Sequence, residues 1–518
     1  MTGKAVAHQR VTVVMGGLLV AMFLASVDQT IVAAALPTVV GDLGAPDQYA
    51  WVLTAYLLAE TAATPVFGKA GDLYGRKRVL QVSVLVFAVG SVLCALAGAM
   101  WQLAAFRAVQ GIGAGGIIAA TLGVVADLIP PRERGRYQGA YVSVFALAAI
   151  LGPPLGGVLV DGPGWRWAFW GSAVLAVAVL VVISMVLTLP AVTRTVAVDW
   201  WGAALLVAAV SAVVLAVSLG GRHLAWTSPP MLALLAAATC LVVLFVRRER
   251  AFVEPMLPPG MFTEPVFTVS VLLAFLTGGI MLGALAFLPQ FLQLAQGFSA
   301  TVAGLALVPV LAAALVASTI VGRWVSRIGR YRPFPILGMG ALCLGLALLT
   351  QLQVDTPYPL LVVPLLLLGV GVGMSTPVLF VAVQNAADPR HVGVASAAVT
   401  FFRSLGGAIG AAVFGAVLIA RLDVNLVAAL PDLTGGVNAI IDAPRQVAML
   451  APETRDAVRE AYAASFRQTI LAAVGLSVGA WLLSWRLPDR ELGDGTPTSA
   501  VDEQREEVGN HSPKESDY

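Results

Sequence analysis

The sequence predicts an all-α integral membrane protein built from two six-helix bundles with two extra helices between them. Three observations carry this. Only 12% of the 518 residues are charged and 58% are hydrophobic, with a mean hydropathy of +0.87, whereas soluble domains carry roughly 25% charge. Apolar runs of about 20 residues, each long enough to cross ~30 Å of hydrocarbon as a helix, recur from end to end. A turn rich in glycine and arginine, GKAGDLYGRKR at 68–78, has a degraded echo in GRWVSRIGRYR at 322–332, as two related halves would give.

The runs are read as fourteen spans: 11–36, 50–67, 79–99, 103–126, 137–159, 168–189, 200–219, 231–246, 266–288, 301–321, 333–352, 360–383, 393–419 and 469–485. The first is too long for a signal peptide, contains Asp28 and lacks a convincing cleavage site, so it is expected to stay. Basic residues set the orientation. Lys69, Arg76, Lys77 and Arg78 share one connection, Arg132, Arg134 and Arg136 another, Arg247, Arg248 and Arg250 a third, and Arg327, Arg330 and Arg332 a fourth. All fall on one side if the even-numbered spans end there, which puts both termini in the cytoplasm. An alanine-, valine- and leucine-rich composition fits the inner membrane of a GC-rich bacterium.

The expected organisation is therefore a short cytoplasmic N-terminus (1–10), an N-terminal bundle (11–189), two extra helices with a cytoplasmic linker (190–264) and a C-terminal bundle (265–486). An extracytoplasmic insert at 421–467 contains APETRDAVREAYAASF, with helical spacing and a helix start at Pro452 and Glu453; it is read as a folded cap or a helical extension beyond the membrane. Residues 487–518 turn polar, with too little apolar surface to pack, and are expected to form a disordered cytoplasmic tail. Cys94, Cys240 and Cys343 sit singly in apolar runs, and His8, His223, His391 and His511 are scattered over termini and loops. Neither pattern suggests a disulfide framework or a metal site, and no cofactor is expected.

Four motifs carry a resemblance. The loop 68–78 matches G-x-x-x-D-x-x-G-R-[KR]-[KR] through Gly68, Asp72, Gly75 and Arg76, and so resembles the signature loop of the major facilitator superfamily. In that family the aspartate faces a helix N-terminus of the other half and latches the outward-open state; here that helix is expected to begin near Val392 and Gly393. The segment 26–37, SVDQTIVAAALP, resembles the L-D-x-T-I-V-x-x-A-L-P pattern of fourteen-helix drug:proton antiporters, with Val27 in place of the usual leucine. Arg107, Gln110, Gly111 and Gly113 resemble R-x-x-Q-G-x-G of the fourth helix. Gly152, Pro153, Gly156 and Gly157 resemble the G-P-x-x-G-G antiporter motif of the fifth, where small residues let helices approach and proline permits a bend. The resemblance implies a proton-driven exporter and does not name its substrate.

Ionisable residues inside the spans are functional candidates, because each costs about 2.5–3.5 kcal/mol even on a lenient insertion scale. They are Asp28, Glu60, Arg107 and Arg403. Asp28 and Arg107 are expected to meet within the first half, either as a proton-coupling or cation-recognising pair or as a static ion pair that holds the bundle. Glu60 departs from the family pattern; it is either a second proton site or a side chain that snorkels to a polar cavity. Arg403 is read as steadying the second half through backbone carbonyls, or as touching an anionic group. Phe145, Phe401, Phe402, Met281 and Met374 suit either cavity lining or packing.

An enzyme is disfavoured, since no nucleophile, metal or phosphate constellation occurs and the GxG stretches have no strand before them. A channel would need a ring of repeated pore residues, and a scaffold has no need of charges in hydrocarbon. The reading is a proton-coupled antiporter that exports hydrophobic or amphipathic drugs by alternating access. The alternative is an exporter of one lipid or secondary metabolite, which the large outer insert favours. Its partners are expected to be membrane lipids, protons and a small substrate, with no nucleic acid; the chain is expected to be a monomer, and 421–467 is a candidate surface for an extracytoplasmic partner.

Overall fold

The computed structural model describes residues 2–45, 48–187, 199–220, 224–429 and 451–492. Among these, fourteen long helices follow one another: α1 Thr2–Leu43, α2 Tyr49–Tyr74, α3 Arg76–Ala95, α4 Met100–Leu128, α5 Pro131–Asp161, α6 Arg166–Val186 and α7 Trp200–Leu219. The rest are α8 Pro229–Ala251, α9 Pro265–Leu294, α10 Val308–Ile328, α11 Pro333–Leu349, α12 Tyr358–Ala386, α13 Val392–Ala429 and α14 Pro452–Ser484. Twelve are long and apolar enough to cross a membrane by themselves. The two others are α11, an apolar helix of 17 residues, and α2, which carries Glu60, Lys69 and Asp72.

The packing repeats. In the first half α1 lies on α5 and α6, α2 on α4, and α3 on α4 and α6; in the second, α9 lies on α13 and α14, α10 on α12, and α11 on α12 and α14. Shifting each helix of the first half by eight places thus reproduces every one of these pairs. Lipid tails offer no hydrophobic force between helices, so contact has to come from close backbone approach. A Cβ on Gly113 of α4 would stand 2.4 Å from the Phe87 backbone nitrogen of α3, and one on Gly410 of α13 would stand 2.3 Å from the Gly279 oxygen of α9. The two glycine- and arginine-rich turns also correspond: Gly75 ends α2 at φ 90° and Gly329 ends α10 at φ 71°, a region that a side chain resists. The extra helices α7 and α8 pack on each other and lean on α2 and α13 through α7.

The halves meet through two pairs of equivalent contacts, α2 with α13 and α5 with α10, then α4 with α13 and α5 with α12. Among the described residues, every hydrogen bond between the halves lies in the part of the molecule nearer the arginine-rich turns. Arg132 donates to the Ser326 and Arg327 carbonyls, Arg134 to the Gln384 carbonyl, and Ser143 lies 3.0 Å from Thr319 Oγ1. The molecule is therefore closed at its basic face.

Two boundaries differ from the sequence reading, and at the insert the helix expected to start at Pro452 is present. Helix α1 begins at Thr2 and not at 11, since nothing in TGKAVAHQR breaks a helix. The flanks of the 421–467 insert are continuous helix: α13 and α14, at 38 and 33 residues, would be about 57 and 50 Å long, well beyond a hydrocarbon core. Leu418, Leu422 and Leu426 on α13 face inward with Val458, Tyr462 and Phe466 on α14; Asn425 donates to Ser465, and Phe466 stacks on Phe291. Residues 430–450, the rest of that insert, lie outside the described residues, as do 188–198 of the linker. The expected tail does not start free at 487. Leu487 and Leu492 are buried, Tyr331 donates to the Pro488 carbonyl, and Arg490 pairs with Glu264 at 2.7 Å. Two leucines supply the apolar surface that the composition of the whole segment concealed, and 493–518 lie outside the described residues.

Gly113→Val should force α3 and α4 apart and destabilise the bundle by about 1–3 kcal/mol, whereas Gly157→Ala, with nothing within 4 Å of its Cβ, should be neutral. Thermal melts of both variants in detergent check this; equal melting points would show that the helix contact is not limiting.

Candidate functional site

Asp28 sits mid-way along α1 with 1% of its surface exposed, and Arg107 on α4 is fully buried. Two helices, α4 and α6, converge on the Asp28 carboxylate. Arg107 Nη1 donates to Oδ2, while Gln110 Nε2 and Ser172 Oγ each donate to Oδ1 at 3.0 Å. Gln110 also accepts from Arg107 Nη1 at 2.6 Å and donates to Ser91 at 2.8 Å. The guanidinium lies 4.0 Å from the ring centroid of Tyr56, whose hydroxyl is fixed to the Ala25 carbonyl. Yet Nε and Nη2 of Arg107 have no partner among the described residues. A bare carboxylate or guanidinium in this setting would cost several kcal/mol, so each holds the other in place. Sequence reasoning named Gln110 only as a motif residue and missed Ser91, Ser172 and Tyr56, because a serine or tyrosine in an apolar helix gives no signal until the helices are packed.

Glu60 lies on α2, half-buried, within electrostatic reach of Arg107 on one side and Arg403 on the other. No ion pair to it exists among the described residues. Arg403, on α13, stands 5.8 Å above the Phe145 ring, with Nε unpartnered, and the Tyr141 hydroxyl lies against it and Thr400. Among the described residues no backbone carbonyl accepts from Arg403; its surroundings are Phe145 and Tyr141 of α5, across the junction of the halves. Beneath them Gln138 donates to Gln384, which donates to Ser396, linking α5, α12 and α13. Of the five apolar residues read as lining or packing, Phe401 and Phe402 stack edge to face against each other, and Phe145 packs against Tyr141.

The loop at 68–78 closes the basic face. Asp72 Oδ1 and Oδ2 accept the Gly393 and Val394 amides at 3.1 and 2.9 Å, at the free N-terminus of α13. Arg76 donates to Asp72 at 2.9 Å, pairs with Asp127 at 3.0 Å and reaches the Gly123 carbonyl. Gly68 is needed for approach: its Cβ would stand 2.6 Å from the Ala397 methyl. Burial pushes the Asp72 carboxyl above its ordinary range, and Arg76 and the two amides pull it back. In the equivalent turn the fifth position is Ser326, and the junction is made by Arg132 donating to its carbonyl. Among the described residues, the first turn supplies a carboxylate to the junction and the second a backbone carbonyl. On α5, Gly152 and Gly156 pack against Thr30 and Ile31 of α1, close to Asp28, while Pro153 and Gly157 face outward.

Asp72→Asn should loosen this junction. An amide keeps one acceptor but turns a donor toward the second backbone N–H, losing about 1.5–3 kcal/mol of charged hydrogen bonding. Spin labels at Arg78 and Arg390, both exposed, should report a larger population of long distances in the variant; an unchanged distribution would remove Asp72 from the closure.

A model of the Major Facilitator Superfamily matches residues 18–411. An MFS-type transporter of Mycobacterium tuberculosis, itself uncharacterized, is 39% identical over 494 residues, covering 95% of this chain and 72% of that one. The multidrug transporter protein MdtP of Bacillus subtilis is 35% identical over 410 residues, covering 79% of this chain and 76% of its own. Among solved structures, the proton:xylose symporter XylE superposes with a TM-score of 0.63 at 15% identity, over 95% of this chain and 99% of that one. The human organic anion transporter MFSD10 gives 0.63 at 17%, over 91% and 99%. These two likenesses speak to the fold alone. The match over most of the membrane portion, together with two equivalent sets of six helices, establishes that this chain belongs to the Major Facilitator Superfamily.

Proposed function

We propose that this multi-pass transporter is a proton-coupled exporter of hydrophobic or amphipathic compounds, of the fourteen-helix drug:proton antiporter branch. Its basic face and both termini lie in the cytoplasm of a bacterial inner membrane. The observation that carries this reading is the buried Asp28–Arg107 pair, a carboxylate and a guanidinium that answer each other inside the first half. Relatives named for efflux support export: a Bacillus subtilis protein called multidrug resistance protein 3 is 34% identical, and an efflux pump of Gibberella fujikuroi is 32% identical. The basic turns support the orientation.

In this reading the structure is the state closed to the cytoplasm, in which exported substrate leaves outward. A proton taken up by Asp28 cancels the charge that holds Arg107. The guanidinium, already short of partners at two nitrogens, becomes costly to keep where it is, and the balance moves toward the inward-open state. There the substrate binds as the proton leaves, so that the two exclude one another. Glu60, between Arg107 and Arg403, serves as the second proton site and connects the pair to the junction of the halves. The helical extension of α13 and α14 favours the second reading, export of one lipid or secondary metabolite at the cell envelope.

Asp28→Asn should abolish transport driven by a pH gradient while leaving downhill exchange, as seen in substrate-induced proton release from reconstituted vesicles at matched protein level. Equal release from both proteins would exclude Asp28. Cysteines replacing Ser143 and Thr319, whose hydroxyls lie 3.0 Å apart, should form an oxidant-dependent cross-link that stops transport until reduced. Full transport in the cross-linked protein would contradict alternating access.

A further inference from the structure

The extra helices leave a cavity of about 430 Å³ against the second half, away from the Asp28 cluster. Its walls are Val210 of α7, Phe245 of α8, Phe262 of the linker, and Phe401 and Phe402 of α13. One acidic side chain lines it, Glu249, near the end of α8 and only 4% exposed. Oε2 of Glu249 accepts the Leu257 amide at 2.7 Å, but Oε1 has no partner among the described residues. Asp199, at the start of α7, is 2% exposed and lies beside it, both carboxylates flanking Gly202. Arg248 answers Asp199 at 3.0 Å, and Lys69 is taken by Glu254 at 2.7 Å. Arg248 is thus engaged by Asp199, and Oε1 of Glu249 is left without a donor of its own. Arg250, which also lines the cavity, is exposed at its mouth, where a second, hydrophilic cleft of about 480 Å³ leads off over the linker.

We propose that this crevice is a binding site for amphipathic cations, with the aromatic or alkyl body among the phenylalanines and the positive head against Glu249. Aromatic faces favour cations, and a desolvated carboxylate without a partner gains from one far more than an exposed carboxylate does. Helix α8 has little of its own surface buried in the bundle, and a cation reaching the crevice from the basic-face leaflet would be held beside Phe401 and Phe402, next to Arg403 at the junction of the halves. The site lies outside the Asp28 path, so it stands whether or not that residue couples protons.

The test uses two ions of matched size and opposite charge, tetraphenylphosphonium and tetraphenylborate, in equilibrium dialysis against the full chain in phosphatidylcholine nanodiscs, with empty discs subtracted. Tetraphenylphosphonium should bind saturably and tetraphenylborate should not. Glu249→Gln should weaken the cation by tenfold or more, and Asp28→Asn should leave this component unchanged. Val210→Trp, which fills the apolar part and keeps the carboxylate, should also abolish it, so that the proposal remains testable if Glu249→Gln folds poorly. Equal binding of both ions, indifferent to Glu249, would make the crevice a lipid-tail slot and overturn the proposal; borate binding that depends on Arg250 would overturn it in favour of an anionic headgroup.

Discussion

A charge placed in hydrocarbon has to be answered inside the protein, and most of this molecule's specificity follows from how that is done. Asp28 is answered three times over, by Arg107, Gln110 and Ser172. The donors come from α4 and α6 and the carboxylate from α1, so it can be satisfied only when these helices of the first half are assembled. Arg107 is answered less completely, with two nitrogens unmatched, and Glu60, Arg403 and Glu249 have no ion partner among the described residues. The fully matched groups hold the bundles together. The unmatched ones line the junction of the halves and the crevice behind it, where an incoming charge has something to meet.

The doubled packing explains where motion is allowed. Within a half, backbones touch at glycines and leave no room to slide, which keeps each set of six helices rigid. Between halves the contacts come in two pairs related by the internal repeat, α2–α13 with α5–α10 and α4–α13 with α5–α12, and the hydrogen bonds among them sit near the basic face. In the first pair, one is held by Asp72 and two amides, the other by an arginine on carbonyls. The related turns are thus alike in shape and unlike in the groups that hold them.

Most of the helical architecture was readable in the chain, since twenty apolar residues bounded by arginines leave few options. The two Gly–Arg turns disclosed the repeat, and their matching positive-φ glycines are its backbone form. What was not readable came from cross-helix register. Ser91, Ser172 and Gln138 look like ordinary polar interruptions until neighbouring helices fix which face they present. Glu249 was hidden for another reason: it stands in the run Arg247–Arg250, where the basic residues dominate and a single acid reads as a solvated neighbour. Its burial depends on the linker folding back to donate the Leu257 amide. The packed start of the tail escaped for the same reason, because Leu487 and Leu492 are isolated in an otherwise polar stretch and gain meaning only from the groove beside Tyr331.

Helix α13 begins at the amides that bind Asp72 and continues, with no proline inside it, to Leu426 in the hairpin beyond the far side of the membrane. A rod of that length turns a small tilt at one end into a larger sweep at the other. The paired ends of α13 and α14 are therefore joined by a single rod to the Asp72 contact at the opposite face, and a grip on the one is felt at the other.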